Sequence, residues 1–418
     1  MKRPLAVKDS YESSLTTVRR PMDPGENTGL NDFESAYVEL FAWCRSRFFA
    51  GYDPFDGLNS ALFQATPLAK FPTARLLWTQ LLKRAPLNAR PILRVPQQHN
   101  AKGIALFALG ALAAFRREPS SQTELQARDL LKLLLDMRID GLSGAAWSYN
   151  FDWQSRNFFA PRGTPTVVPT AFAARALLDG ARTFNDPEYL KVARSTCDFI
   201  LQDLPIYHEA DGAICFSYSP NSETQIFNAS LLAAETLAEV GSQTGERELG
   251  EYAQRATRYV VQHQRDDGSW TYGTEPKQSW IDNFHTAYVL YSLRRIVNLC
   301  SPDSVAEQAL YKGYEFWREC FFLADGWPKY YHDSLYPADT HAAASGVVTL
   351  LEFKEFDPNA VQLAERIVLW TLKHLRNPSG YFYYQRRRFL TIRTPFMRWT
   401  QAWMVYALAC LLEARNDA

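Results

Sequence analysis

The sequence predicts an all-α protein, an (α/α)6 toroid in which a ring of inner helices alternates with a ring of outer helices. Three observations support this prediction. A polar residue followed by alanine recurs at 170, 228, 286, 341 and 401, with spacings of 58, 58, 55 and 60 residues. An aromatic loop precedes each pair, and an Ala/Leu-rich segment followed by a more charged one comes after it. Repeats of this kind are typical of solenoids and closed toroids.

Each repeat begins with a glycine turn. The clearest copy spans 264–272 and contains Gly268, Trp270 and Tyr272. Its parts recur around Gly212, Gly326 and Gly380 and, in weaker form, around Gly144. Asp-Gly and Ser-Gly pairs favour tight turns, and the aromatic alternation after them predicts a short extended segment at the end of each repeat.

Two kinds of helix are expected in each unit. Segments rich in Ala and Leu on most faces are predicted to be buried inner helices, near 100, 170, 228, 286, 341 and 401. Amphipathic segments are predicted to be outer helices, at roughly 67–84, 122–137, 187–203, 245–264, 303–321 and 359–376. Six of each would close a ring, and an open solenoid is the alternative.

The chain is expected to form one domain after a short arm. Residues 1–30 are polar and are predicted to be a flexible N-terminal arm. Residues 31–418 are predicted to be a single α/α toroid domain, in which 31–90 supplies an extra N-terminal helix and the first outer helix.

Composition narrows the class of protein. The 418 residues carry 45 Lys and Arg against 45 Asp and Glu, so the basic excess of a nucleic-acid-binding protein is missing. Six cysteines without a close pair predict reduced thiols, no segment resembles a signal peptide, and the apolar run at 103–115 is too short to span a bilayer. We therefore expect a cytoplasmic protein, with peripheral association to a membrane complex left open.

The functional surface is predicted at one end of the ring. All inner helices of such a toroid run in the same direction, so the aromatic loops that precede them gather at one mouth. The N-termini of the inner helices gather there too, and their unpaired N–H groups favour an anionic or strongly hydrogen-bonding ligand.

Departure from the repeat distinguishes functional candidates from scaffold. The recurring Trp147, Trp270 and Trp327 are interpreted as structural plugs, and the equivalent tyrosines 149, 218 and 272 also favour packing. Acids and histidines that do not recur are the better catalytic candidates. The predicted catalytic residues are His341, His285, Asp339, Asp282 and Asp152. The predicted substrate-binding residues are Arg156, Arg398, Tyr149, Trp153, Tyr331, Tyr384 and Asn228.

One copy of the repeat resembles a known motif. Gln264, Gly268 and Trp270 fit the Gln-x-x-x-Gly-x-Trp pattern of the terpene cyclase and protein prenyltransferase superfamily. The resemblance implies an α/α toroid over roughly residues 90–415. The Asp-x-Asp-Asp acid motif of the cyclases and the cysteine-containing zinc sites of prenyltransferases and lanthionine cyclases are missing from the sequence. We therefore assign no cofactor and no metal ligands; the mixture of Asp and His permits a metal but has no diagnostic spacing, so metal binding is left open.

Two further stretches are similar to a group of bacterial toroid proteins. They are 147–156, which contains Asp152 and Trp153, and 393–403, which contains Arg398. That group tends to accompany capsule or exopolysaccharide biosynthesis, so the resemblance implies a context and no defined reaction.

Three functional hypotheses follow. The first is an enzyme acting on an acidic glycan, or on a sugar-nucleotide or lipid-linked glycan precursor, as a uronate lyase, epimerase or hydrolase. Lyases and epimerases need a base near the C5 proton, whereas hydrolases need two opposed carboxylates. The second is a non-catalytic glycan-binding or scaffold protein of polysaccharide assembly. The third is an isoprenoid enzyme of the cyclase or prenyltransferase type.

Overall fold

The computed structural model describes residues 24–140, 142–155 and 159–416 of the chain. The α-helices of these residues are α1 (Pro24–Arg45), α2 (Ala61–Gln64), α3 (Pro72–Arg84), α4 (Ala101–Arg117), α5 (Ser121–Asp136), α6 (Val167–Phe184), α7 (Pro187–Asp198), α8 (Phe227–Thr244), α9 (Arg247–Gln262), α10 (Asn283–Leu299), α11 (Ser304–Phe321), α12 (Thr340–Glu352), α13 (Ala360–Leu375) and α14 (Trp403–Asn416). A π-helical turn over Met397–Ala402 leads directly into α14.

The helices form the predicted toroid. The inner ring consists of α4, α6, α8, α10, α12 and α14; each helix packs on the next, and α14 packs on α4 to close the ring. Close approach at this closure depends on a glycine, because a Cβ added at Gly110 would lie 2.9 Å from the Val405 side chain. The inner helices are buried on nearly all faces, as their Ala/Leu-rich sequences predict.

The outer ring differs from the expected one at its sixth member. Helices α5, α7, α9, α11 and α13 lie outside the ring, and the sixth outer position is filled by α1, which packs on α13 and α14. The segment expected as the first outer helix, 67–84, instead forms α3 and a short 3₁₀ turn at the mouth. An amphipathic sequence shows that one helix face is covered, but it does not show by which part of the molecule. The first helix also begins at Pro24, within the predicted arm; residues 1–23 lie outside the described ranges.

The glycine turns of the repeat are present as predicted. Gly212, Gly268, Gly326 and Gly380 all have φ between 85° and 90°, a conformation that other residues rarely adopt. Trp147 and Trp270 plug the repeats as expected, and their indole nitrogens donate to the carbonyl oxygens of Leu134 and Val260. Trp327 is only half-buried.

Short antiparallel strands follow several turns at the mouth. They are β1 (Trp153–Gln154), β2 (Phe159–Ala160), β3 (Ile206–His208), β4 (Ile214–Phe216), β5 (Lys329–Tyr331), β6 (Ser334–Asp339), β7 (Gln385–Arg386) and β8 (Thr391–Ile392). The first four form two hairpins, whereas β5 to β8 form one four-stranded sheet in chain order. In this sheet Ala338 of β6 faces Arg386 of β7, which links the last two repeats. None of the helices in the described ranges is long and apolar enough to pass through a bilayer.

Candidate functional site

A cavity of about 430 Å³ opens at the predicted mouth of the toroid. Its walls come from the loops that precede the inner helices and from the first turns of those helices. Helix α3 covers one side, with Leu76, Gln80, Lys83 and Arg84 facing the cavity at helical spacing. The part of the mouth that the sequence analysis assigned to an outer helix is therefore a wall of the site.

His285 and Asp282 form a dyad at the start of α10. Nδ1 of His285 lies 2.8 Å from Oδ2 of Asp282, and the main-chain nitrogen of His285 donates to Oδ1 at 3.0 Å. The indole nitrogen of Trp280 donates to the same Oδ2 at 3.0 Å. Because an ionised carboxylate accepts the Nδ1 proton, the unprotonated nitrogen of the neutral imidazole is Nε2, and the half-buried side chain of His285 lines the cavity.

A second histidine reaches the cavity through a tyrosine. His341, in the first turn of α12, is fully buried, and its Nε2 lies 2.6 Å from the hydroxyl oxygen of Tyr288. Nζ of Lys102 donates to the same hydroxyl at 2.9 Å. Since the lysine occupies an acceptor position on that oxygen, the hydroxyl proton is directed to His341.

Burial keeps this three-residue chain largely uncharged. Burial lowers the pKa of His341 well below its usual value, and the nearby Lys102 lowers it further. Burial also lowers the pKa of Lys102 well below its usual value, with a further contribution from Arg398. Burial raises the pKa of Tyr288 well above its usual value. Tyr288 therefore keeps its hydroxyl proton, whereas His341 and Lys102 are held in their uncharged forms.

Asp339 lies behind the cavity wall. Its Oδ1 accepts the main-chain N–H groups of His341 and Ala342, which caps α12, and the indole nitrogen of Trp399. Burial raises the pKa of Asp339 to about 6, and Lys83 from α3 opposes this rise. Burial lowers the pKa of Lys83 to about 8, and the nearby Asp339 opposes this decrease. The two groups therefore oppose the effect of burial on each other across the cavity wall.

Arg398 faces the cavity but already has a carboxylate partner. Its Nε and Nη2 donate to the two carboxylate oxygens of Asp53 at 2.6 and 2.8 Å, and both side chains are buried. Burial lowers the pKa of Arg398, but Asp53 together with Tyr149 and Tyr288 raises it above its usual value, so the guanidinium stays charged. The expected role of Arg398 as a clamp for a substrate carboxylate must therefore compete with a bidentate ion pair inside the protein.

Aromatic side chains supply 12 of the 28 residues that line the cavity. Tyr149, Tyr218 and Tyr272, which their repetition assigned to packing, are all among them. Each ring packs on its neighbours and also lines the cavity, which explains why the tyrosine recurs in the repeat and why it belongs to the site. The hydroxyls of Tyr149 and Tyr218 are 3.3 Å apart. Repetition thus identified equivalent positions and did not exclude them from the site.

Most of the predicted residues come together at this cavity. Besides those described above, Trp153, Tyr331 and Asn228 line it, and Oδ1 of Asn228 is buried without a hydrogen bond from any described group. Two predicted residues lie elsewhere. Asp152 accepts the main-chain N–H of Arg162 in a turn, and the buried Tyr384 packs edge-on against Phe396. Arg156 lies outside the described residues.

Sequence reasoning missed Lys102, Tyr288 and Lys83. Lys102 follows Asn100 and Ala101, a polar-Ala pair 70 residues before the one at 170, and is the only charged residue between Ala101 and Phe115, a signal that the sequence offered. Tyr288 follows the pair at 286 and 287 within an apolar run, where an aromatic residue is indistinguishable from core. Lys83 was missed because its helix was assigned to the outer ring. In the described part of the chain, His, Cys, Asp and Glu form no cluster that could hold a metal ion.

Comparison with known proteins supports the fold. No protein-family description matches the chain, and no curated protein is similar enough in sequence to be matched. Among solved structures, a cellobiose 2-epimerase from Bacillus thermoamylovorans B4167 has a TM-score of 0.59 at 13% identity, over 77% of this chain and 90% of that one. A GH76 alpha-mannanase from Bacteroides thetaiotaomicron has a TM-score of 0.58 at 11% identity, over 78% and 89%.

An unsaturated glucuronyl hydrolase specific for heparin is also similar, with a TM-score of 0.56 at 14% identity, over 76% of this chain and 86% of that one. At these identities the likeness concerns the fold. The chain is an (α/α)6 toroid.

Proposed function

We propose that the protein is a carbohydrate-active enzyme that removes a proton from a sugar carbon, as a uronate epimerase or lyase does. The observation that carries this proposal is the His285–Asp282 dyad, which leaves Nε2 of a cavity-lining imidazole without a hydrogen-bond partner among the described residues. A base in this arrangement is suited to proton abstraction. The three toroids compared above are named for reactions on sugars, which agrees with this class of substrate.

The proposed reaction begins with transfer of the C5 proton of a uronate to Nε2 of His285. The electron pair of the C–H bond then delocalises into the carboxylate of the substrate. In an epimerase, the Tyr288 hydroxyl gives its proton to the opposite face of C5, and the phenolate regains a proton from solvent, to which His285 releases the proton that it took from C5. In a lyase, the electron pair expels the oxygen at C4, and that oxygen takes the proton. His341 and Lys102 act through Tyr288 and are positioning residues.

The charges around the cavity favour an acidic substrate. Lys83, Arg84 and Lys277 line it as basic residues in addition to Arg398, which is paired with Asp53, whereas Asp282 is the only acidic residue lining it among the residues that the structure describes. The aromatic walls can stack on sugar rings. The shortage of acidic residues at the cavity disfavours a hydrolase, because hydrolysis needs two carboxylates facing the substrate. A role on a glycan or glycan precursor of exopolysaccharide synthesis in the cytoplasm fits the resemblance noted in the sequence.

Non-catalytic glycan binding is the second candidate, and the 12 aromatic side chains of the cavity favour it. The aromatic walls would also suit an isoprenoid, the third hypothesis, but the acid that a cyclase needs is missing from the sequence. The dyad separates the candidates, because a binding site gains nothing from an oriented base. A proton-exchange experiment therefore distinguishes them.

The test incubates the full chain in D₂O with polymannuronate, polygalacturonate and heparosan. We expect deuterium at C5 of one of these polymers, measured by NMR, with ultraviolet absorbance of an unsaturated uronate if the enzyme is a lyase. His285→Ala should abolish the exchange, and His208→Ala, an exposed histidine on β3, should not. Polymer binding without exchange would support the binding protein. No exchange and no binding on any polymer would overturn the proposal.

A further inference from the structure

An exposed apolar face with unpaired arginines adjoins the mouth of the toroid. Helix α3 turns Leu77 and Leu81 to solvent, where they are 60% and 66% exposed, directly beside the residues of α3 that face the cavity. The loop after α3 exposes 80% of Leu87. At the tip of the β7–β8 hairpin, 88% of Phe389 is exposed. We name this surface, formed by Leu77, Leu81, Leu87, Arg388 and Phe389, the basic apolar face.

The loop after α3 and the hairpin meet in space. Leu87 and Phe389 line one open cleft of about 540 Å³ together with Arg387, Arg388 and Arg393. Leu87, Phe389 and Leu390 therefore share one surface at the cleft, and Leu77 and Leu81 lie on the helix that precedes Leu87 in the chain. Contiguous exposed patches of this kind mark interaction sites.

The charge of the face is unusual for a chain with no net charge. The two stretches that build it, 57–117 and 366–412, contain no Asp or Glu. Arg84, Arg388 and Arg393 form no ion pair with any carboxylate in the part of the chain that the structure describes. The face thus combines apolar side chains that need cover with positive charge that needs a counter-charge.

We propose that the basic apolar face docks the protein on an anionic lipid bilayer. Leucines on one helix face and a phenylalanine at a hairpin tip insert below the headgroups, and the arginines bind the phosphates. A symmetric contact with a second copy would place this face against itself, so the unpaired arginines would repel one another. Docking would hold the cavity mouth at the membrane surface, which goes beyond the proposed reaction and does not depend on it.

The test measures co-sedimentation of the full chain with phosphatidylcholine vesicles that contain or lack phosphatidylglycerol. We expect binding that requires phosphatidylglycerol and weakens with salt. The double variant Arg388→Ser/Phe389→Ser should reduce binding about tenfold, since one basic residue near an anionic surface contributes about fivefold and the phenylalanine adds to it. Leu77→Ser/Leu81→Ser should reduce binding without changing its salt dependence.

The matched control is Leu125→Ser/Val305→Ser, which removes equally exposed apolar side chains from the outer helices α5 and α11 and should bind as the wild type does. Three results would overturn the proposal. The first is that the protein binds neither kind of vesicle, and the second is that the control variant loses as much binding as the variants of the face. The third is that the protein sediments as a dimer and that Leu77→Ser/Leu81→Ser converts this dimer to a monomer. If the protein binds vesicles only after residues 1–23 are removed, the partner of the basic apolar face is that segment, and the proposal is likewise overturned.

Discussion

A single carboxylate, that of Asp282, caps helix α10 and orients the imidazole of His285. One oxygen accepts the main-chain N–H of His285 at 3.0 Å, and the other lies 2.8 Å from Nδ1 of the same residue. The helix terminus and the base are therefore fixed by the same group. Because Asp282 is itself held by Trp280, the imidazole has little freedom to turn away from the cavity.

Asp282→Asn should separate these two functions. The amide oxygen can still cap α10, so we expect the free energy of unfolding to change by about 1 kcal/mol or less. The amide nitrogen cannot accept the Nδ1 proton, so the neutral imidazole changes tautomer and loses its free Nε2. We expect the rate of C5 deuterium exchange to fall by about 10² to 10⁴, with unchanged polymer affinity. An unchanged rate would show that His285 is not the base.

Lys102→Met should stabilise the protein and slow the reaction. The pKa of Lys102 is depressed, so its contribution to stability is present above the pKa of the unfolded chain and is lost as the pH falls. The variant should therefore exceed the wild type in free energy of unfolding, and the difference should grow from pH 10 to pH 7. Denaturant titrations at several pH values measure this difference.

Tyr288→Phe is the companion variant, because it removes the hydroxyl that Lys102 and His341 share. It should abolish proton return to the opposite face of C5, so the rate of inversion at C5 should fall more than in Lys102→Met, where the tyrosine remains. A Tyr288→Phe enzyme that inverts C5 at the wild-type rate would remove the proposed proton chain from the mechanism.

The repeat predicted the toroid because its signals are local. A glycine with positive φ, an aromatic plug and an apolar helix each occupy consecutive residues, so Gly268 and Trp270 could be placed without any knowledge of distant contacts. The position of α1 could not be predicted in this way. Its packing on α13 and α14 joins the two ends of the chain, and amphipathicity alone does not identify a partner.

The site was predictable only where polar residues interrupt the repeat. His285, His341 and Asp282 depart from their equivalent positions, and the structure places all three at the cavity. The pairing of Arg398 with Asp53 spans 345 residues of sequence, and nothing local to either residue indicates it. The hydroxyl of Tyr288 was hidden for a related reason, since its partners come from helices α4 and α12.

Asp339→Asn should alter the pH dependence of stability. The pKa of Asp339 is raised to about 6 from a usual value of 3.8, so its contribution to stability is fully present below pH 3.8 and is lost as the pH rises through 6. The advantage of the wild type over the variant should therefore shrink between pH 3 and pH 7. Unfolding curves with parallel pH dependence would contradict the assignment.

Arg398→Ala tests whether the arginine serves the fold or the substrate. Removing it leaves the buried Asp53 without its partner, which should cost about 3 to 5 kcal/mol of unfolding free energy. Asp53→Ala should cost a similar amount, and the double variant should cost much less than the two together, because it leaves neither charge unpaired. Denaturant titrations of the four proteins measure this coupling.

The double variant also settles the role of Arg398 in binding. If the guanidinium only neutralises Asp53, Asp53→Ala/Arg398→Ala should bind acidic polymers as the wild type does. If it also contacts the substrate carboxylate, the double variant should bind them more weakly, whereas Asp53→Ala alone should bind them more tightly because the arginine is released. Calorimetric titration with a uronate oligosaccharide distinguishes the two results, and additive stability effects would show that the ion pair at 2.6 Å does not couple the residues.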